Sequence, residues 1–127
     1  MFAIFYYEKA LTMNSYKKET LDMIDKALEM DPVYQDALRF KAAILCDTKM
    51  YKECIETCNF ILNKIDPYCE ESNVYGMKAE SLSHLNRHRE ALVFIEMAIK
   101  YESSKSTSYQ QTKVKYEDRA RSSLFGI

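Results

Sequence analysis

Apolar residues return every three or four positions from one end of the 127-residue chain to the other, as in Leu21, Ile24 and Leu28 and again in Ala91, Ile95 and Ala98. That interval is the period of a helix with one buried face; alternation of period two, the mark of a strand, is nowhere sustained. The chain carries 2 Gly and 2 Pro, where average usage would supply roughly 9 and 6, so turns are scarce and elements long. Sandwiches and barrels are disfavoured. The pattern breaks at Asn14–Ser15, Asp31–Pro32, Asp47–Thr48–Lys49, Asp66–Pro67, Asn86–Arg87 and Ser103 to Thr107, leaving seven segments of about 12 to 17 residues. Asp31–Pro32 and its echo Asp66–Pro67 suit helix ends, because the residue before a proline is pushed out of helical geometry. The expected fold class is all-α.

With 47% apolar and 29% charged residues the composition is that of an ordinary globular chain, long enough for one domain, 1–127, and too short for a second. Eighteen basic residues stand against nineteen acidic ones, a net charge of -1, so no overall field draws the chain toward nucleic-acid phosphates or anionic lipid. No run approaches the roughly 18 apolar residues that cross a bilayer, and the apolar stretch from Met1 to Tyr7 stops at Glu8 without the basic flank of a leader. A soluble cytoplasmic protein, without nucleic-acid or membrane partners, is the expectation. Cys46, Cys54, Cys58 and Cys69 are accordingly read as reduced thiols.

Laying the segments over one another exposes an internal repeat. Lys18-Glu19-Thr20-Leu21-Asp22 returns 34 residues later as Lys52-Glu53-Cys54-Ile55-Glu56, and 37 residues after that as Arg89-Glu90-Ala91-Leu92-Val93. At the same offsets Ile24, Cys58 and Ile95 superpose, as do Ala27, Ile61 and Ala98, while Ala42 matches Ala79 and Leu45 matches Leu82. The three extra residues fit the loop around Tyr68 to Ser72.

In these positions the sequence resembles the tetratricopeptide repeat family, whose unit is a 34-residue helix-turn-helix. Tyr75 takes the aromatic slot, Ala79 the small-residue slot and Leu82 the next, followed across a turn by Ala91, Ile95 and Ala98. The preceding unit offers Leu38, Ala42, Leu45, Tyr51, Cys54, Cys58 and Ile61, and Ala27 to Pro32 is close to the family's usual ending. Lys41 and Lys78 depart from the pattern where it prefers an aliphatic, His88 replaces the turn tyrosine, and Ser103 stands where Pro is usual. The resemblance implies a right-handed superhelix of about seven antiparallel helices, with units at about 1–34, 35–71 and 72–104 and a further helix at about 107–124. Small residues on both helices of a unit let the two backbones approach, and stacking of units buries what one pair leaves open.

Both ends are open to two readings. Lys9 to Asn14 copies Lys26 to Asp31 at an offset of 17, which looks like a second helix, whereas its order in the chain makes it the first helix of the opening unit. Its aromatics Phe2, Phe5, Tyr6 and Tyr7 cannot all point inward from one helix. Ser108 to Ser123 reads as a polar capping helix or as the first helix of a further repeat.

The sequence supplies no strong chemical motif. Cys54 and Cys58 lie one turn apart and could hold a metal, but they fall on buried small-residue slots where cysteine acts as a small hydrophobe. His84 and His88 flank the expected turn and need not share a face. Gly76 and Gly126 cannot cradle a phosphate, and Gly76, inside an expected helix, costs about 1 kcal/mol against Ala, so it points to close approach of a ligand or a neighbouring helix. The expectation is a non-catalytic protein with no cofactor and no metal.

What remains is surface. The resemblance implies that first helices line a concave groove that takes a peptide or helix of a partner protein. The groove-facing residues would be Asp36, Arg39, Phe40, Ala43 and Asp47 in one unit, and Asn73, Gly76, Met77, Glu80 and His84 in the next. Phe40 and Met77 are apolar on an otherwise polar face, which suits either partner contact or the core between repeats. The two-carboxylate clamp of some family members is not matched: Arg39 would replace its Lys, but Ala43 and Met77 stand in place of asparagines and cannot hydrogen-bond a carboxylate. A protein-interaction adaptor is the first functional reading. The alternative is a segment of a longer solenoid that associates with itself through the N-terminal aromatics. A third, RNA binding, is opposed by Asp36, Asp47 and Glu80.

Overall fold

The protein, a computed structural model, is described at residues 2–13, 17–67, 69, 71–102 and 107–125. The breaks expected at Asn14–Ser15 and over 103–106, with Ser103 itself, lie outside these residues, as do Tyr68 and Gly126. Seven α-helices and no strand occur among the described residues: α1 (Phe2–Leu11), α2 (Lys17–Met30), α3 (Gln35–Asp47), α4 (Tyr51–Phe60), α5 (Ser72–His84), α6 (His88–Tyr101) and α7 (Thr107–Phe125). A π-helical turn, Ile61–Ile65, extends α4. The chain divides into two compact units, Met1–Pro67 and Tyr68–Ile127.

In the first unit α1 pairs with α2 and α3 with α4, and α2 packs on α3. Ala3, Ala10, Ile24, Ala27, Ala37 and Ile44 form a shared core flanked by Tyr6, Tyr7, Leu21, Met23, Leu28, Tyr34 and Phe40. Between α2 and α3 the chain turns at Asp31–Pro32: the Asp31 carboxylate accepts from the Val33 amide at 3.3 Å and its carbonyl from the Tyr34 amide at 3.1 Å. This side-chain turn ends one helix and aims the next.

The residues that superpose in the sequence share one environment. Thr20, Cys54 and Ala91 are buried, as are Ile24, Cys58 and Ile95, and Ala27, Ile61 and Ala98. On the first helices of two hairpins Ala42 and Ala79 are fully buried, with Leu45 and Leu82 beside them. The Cys54 thiol reaches the Ala42 carbonyl at 3.4 Å, a contact that only small side chains on both helices permit. All four cysteines are buried.

The turns of the α3–α4 and α5–α6 hairpins share three backbone hydrogen bonds at corresponding positions. In the first, the amides of Thr48, Lys49 and Met50 donate to the carbonyls of Ile44, Cys46 and Leu45; in the second, those of Leu85, Asn86 and Arg87 donate to Ser81, Ser83 and Leu82. Lys49 and Asn86 carry positive φ, 65° and 62°, the left-handed residue of a Schellman-type helix ending. Cys54 then bonds Met50 as Ala91 bonds Arg87.

In the second unit α5 pairs with α6, and α7 packs on α6. Tyr75 is buried, stacks on Tyr101 with ring centres 5.7 Å apart, and donates its hydroxyl to the Cys69 carbonyl at 2.7 Å. The two lysines on expected aliphatic positions each find a partner. Lys41 bonds Asp25 at 2.9 Å, joining α3 to α2, and Lys78 lies over the Phe94 ring at 3.9 Å from its centre, joining α5 to α6. Each keeps its stem against the packed face while its charge is met.

Candidate protein-binding surface

In the first unit Asp36, Phe40, Ala43 and Asp47 follow one another along α3 at helical spacing, so they line one face of it. Asp36 and Asp47 are exposed, Ala43 and Phe40 half-buried. Phe40 sets its ring edge-on to Tyr7, with centres 6.2 Å apart, so part of it belongs to the core between α1 and α3. Tyr7 also meets Tyr34 at 5.2 Å. Burial, and then the charge of Asp36, push both tyrosine hydroxyls above their usual pKa.

Arg39 is engaged on its own unit. Its guanidinium donates to the Gln35 side-chain oxygen at 3.1 Å and lies 3.7 Å from the Asp66 carboxylate. The π-helical turn brings Asp66 there: the widened turn closes with the Asp66 amide bonded to the Ile61 carbonyl at 2.7 Å. An incoming carboxylate at Arg39 would share the guanidinium with Asp66.

In the second unit Asn73, Met77, Glu80 and His84 repeat the same spacing along α5, all exposed except the half-buried Met77. Helix α7 reaches this face. The Tyr109 hydroxyl donates to the Asn73 side-chain oxygen at 3.3 Å, and its ring lies over Gly76 so closely that a Cβ there would stand 3.0 Å from the ring edge and the hydroxyl. The glycine inside α5 therefore serves the approach of a neighbouring helix. Burial pushes the Tyr109 hydroxyl up, with Glu102 and Glu80 acting in the same direction and a hydrogen bond to Ser72 against it.

A second contact of α7 was not legible in the sequence. Arg119 donates to the Ser83 hydroxyl at 3.0 Å, and that hydroxyl lies 3.1 Å from His88 Nδ1, so α5, α6 and α7 meet in one polar chain. Burial and then the Arg119 charge hold the His88 pKa below its ordinary value. A nucleophilic serine needs a basic partner and access to substrate; Ser83 is 2% exposed and its histidine is flanked by a cation. His84 and His88 stand on different helices, α5 and α6. Among the described residues no group of three His, Cys, Asp or Glu is placed to hold a metal ion.

An open hollow of the second unit lies between α6 and α7, lined by Arg89, Leu92, Glu117, Ala120 and Arg121. No helix among the described residues is long and apolar enough to cross a membrane. No protein-family model matches the chain, and no curated protein matches it significantly.

Proposed function

We propose that the chain is a protein-interaction module of tetratricopeptide type, a right-handed superhelix of stacked hairpins that holds a peptide or helix of another protein on the faces of its first helices. It acts as a non-catalytic adaptor in the cytoplasm. The observation that supports this reading most is the recurrence of one hairpin, with the same turn hydrogen bonds and left-handed residue at Lys49 and Asn86 and the same buried positions, at the 37-residue offset read from the sequence. Repeats of this kind bind through the face their first helices share. On those faces Asp36, Ala43 and Asp47 flank Phe40, and Asn73, Glu80 and His84 flank Met77, a polar rim around an apolar group.

Site-specific photo-crosslinking in native lysate tests this. A photoreactive side chain at Ala43 or Glu80, on first helices, is expected to capture a common partner protein. The same group at Glu56 or Glu96, exposed on second helices, is expected to capture none of it. Equal capture from both sets would contradict the reading. The alternative, a self-associating segment, is favoured by the exposure of Phe2 and Phe5 and uses another helix, so the two are compatible.

A further inference from the structure

We infer that α1 is a dimerisation helix, and that its outer face pairs with the same face of a second copy of this chain across a two-fold axis. At 3.6 residues per turn, Ala3, Tyr6, Tyr7 and Ala10 occupy one half of α1, and Phe2, Ile4, Phe5, Glu8, Lys9 and Leu11 the other. The first half is spent on the hairpin core. On the second, Phe2 is 68% exposed, Phe5 60%, Ile4 50% and Leu11 50%, so four of the six residues facing water are large and apolar. A helix apolar on both halves belongs in an interior.

The chemistry of the other surfaces favours a second α1 as its cover. The water-facing residues of α2 are chiefly charged: Lys18, Glu19, Asp22, Asp25, Lys26 and Glu29. Along α7 Gln110, Lys115, Glu117, Asp118 and Arg121 are exposed with Val114. Docking α1 on either would bury charges without partners. An apolar patch that pairs with its own copy gives an isologous, closed pair rather than a chain of copies. Glu8 and Lys9, the only charges on the face, cancel, so the two-fold brings no net repulsion.

Area sets the strength. Taking about 200 Å² for a whole aromatic side chain, the four residues leave on the order of 450 Å² in water, and two copies would bury on the order of 900 Å². That lies below a standard stable interface and within the range of weak, reversible ones. The dimer is therefore concentration-dependent.

Sedimentation equilibrium of the 127-residue chain from about 1 to about 300 μM, a span that covers weak association, tests the inference. The average mass is expected to rise from monomer toward dimer and no further. Phe2→Ser with Phe5→Ser, and separately Leu11→Lys, should each raise the dissociation constant at least about tenfold at unchanged helical circular dichroism. Val93→Ser, at an exposed apolar residue of α6, should leave it unchanged. A chain monomeric throughout, growth beyond dimer, or association indifferent to the α1 variants would overturn the inference. So would a monomer that binds phosphatidylcholine–phosphatidylserine vesicles through Phe2 and Phe5. Capture of a partner at Ala43 or Glu80 is read separately, so either conclusion can fail without the other.

Discussion

Lys49 and Asn86, 37 positions apart, hold one left-handed backbone conformation at the head of two hairpins, with φ of 65° and 62°. A side chain with a Cβ pays about 1 kcal/mol or more in that region, asparagine less than most and glycine nothing. Lys49→Gly should therefore stabilise the protein by roughly 0.5–1 kcal/mol and Asn86→Gly by less, while Lys49→Val should destabilise it by about 1–2 kcal/mol. Urea unfolding measures all three. A Lys49→Gly protein less stable than wild type would show that this turn is not what ends α3.

Gly76 sets two effects of opposite sign against each other. Alanine would gain about 1 kcal/mol of helix propensity, but its Cβ would stand 3.0 Å from the Tyr109 ring and push aside the hydroxyl that bonds Asn73. Gly76→Ala should thus change stability by less than about 0.5 kcal/mol in the wild type, yet stabilise a Tyr109→Ala protein by about 1 kcal/mol. Equal effects in the two backgrounds would mean that Tyr109 does not lie on Gly76.

His88 makes stability depend on pH. Its folded-state pKa lies below the ordinary 6.5, so the folded protein binds fewer protons than the unfolded chain. The contribution is complete above about pH 6.5 and is lost as pH falls through the lowered value. Burial is the larger cause and the Arg119 guanidinium the second. Titration of the ring followed by NMR should give a midpoint below 6.5 that rises in Arg119→Ala. Between pH 7.5 and 5.5 the wild type should lose more stability than His88→Gln. A midpoint at or above 6.5 would contradict the Ser83–His88–Arg119 arrangement.

Cys54 occupies a position meant for a small side chain, with its thiol against the Ala42 carbonyl. Cys54→Ala, the residue that Ala91 supplies in the next hairpin, should cost less than about 1 kcal/mol, whereas Cys54→Leu should overpack the pair by about 1–3 kcal/mol. Thermal unfolding decides this; a tolerated leucine would mean that the helices are further apart.

What could be read from the sequence was whatever period and register carry. The slots of Ala42, Ala79, Ala91, Ala98, Cys54 and Cys58 follow from spacing, as does the rule that the four aromatics of α1 cannot all point inward; that Tyr6 and Tyr7 are the two against the core does not. Gly76 signalled a close approach without saying by what. Tyr109 on Asn73, Arg119 on Ser83 and Asp66 on Arg39 were not legible, because such pairs depend on how far one helix is shifted along another and, for Asp66, on a π-helical turn that no local residue pattern announces. On the candidate surface the sequence placed Asp36, Arg39, Phe40, Ala43 and Asp47 on one helix, which is α3. It could not tell that Arg39 already has a carboxylate beside it or that Phe40 leans on Tyr7.

That the chain is built from equivalent hairpins is tested most directly by unfolding matched pairs of variants in urea. Ala42→Leu and Ala79→Leu, fully buried at corresponding positions, should each lose about 1–3 kcal/mol, and by similar amounts. Lys52→Leu and Arg89→Leu, exposed at corresponding positions, should move stability by less than about 0.5 kcal/mol. Leucine tolerated at either alanine, or losses at the two that differ by more than the exposed controls move, would contradict the equivalence on which the proposed function rests.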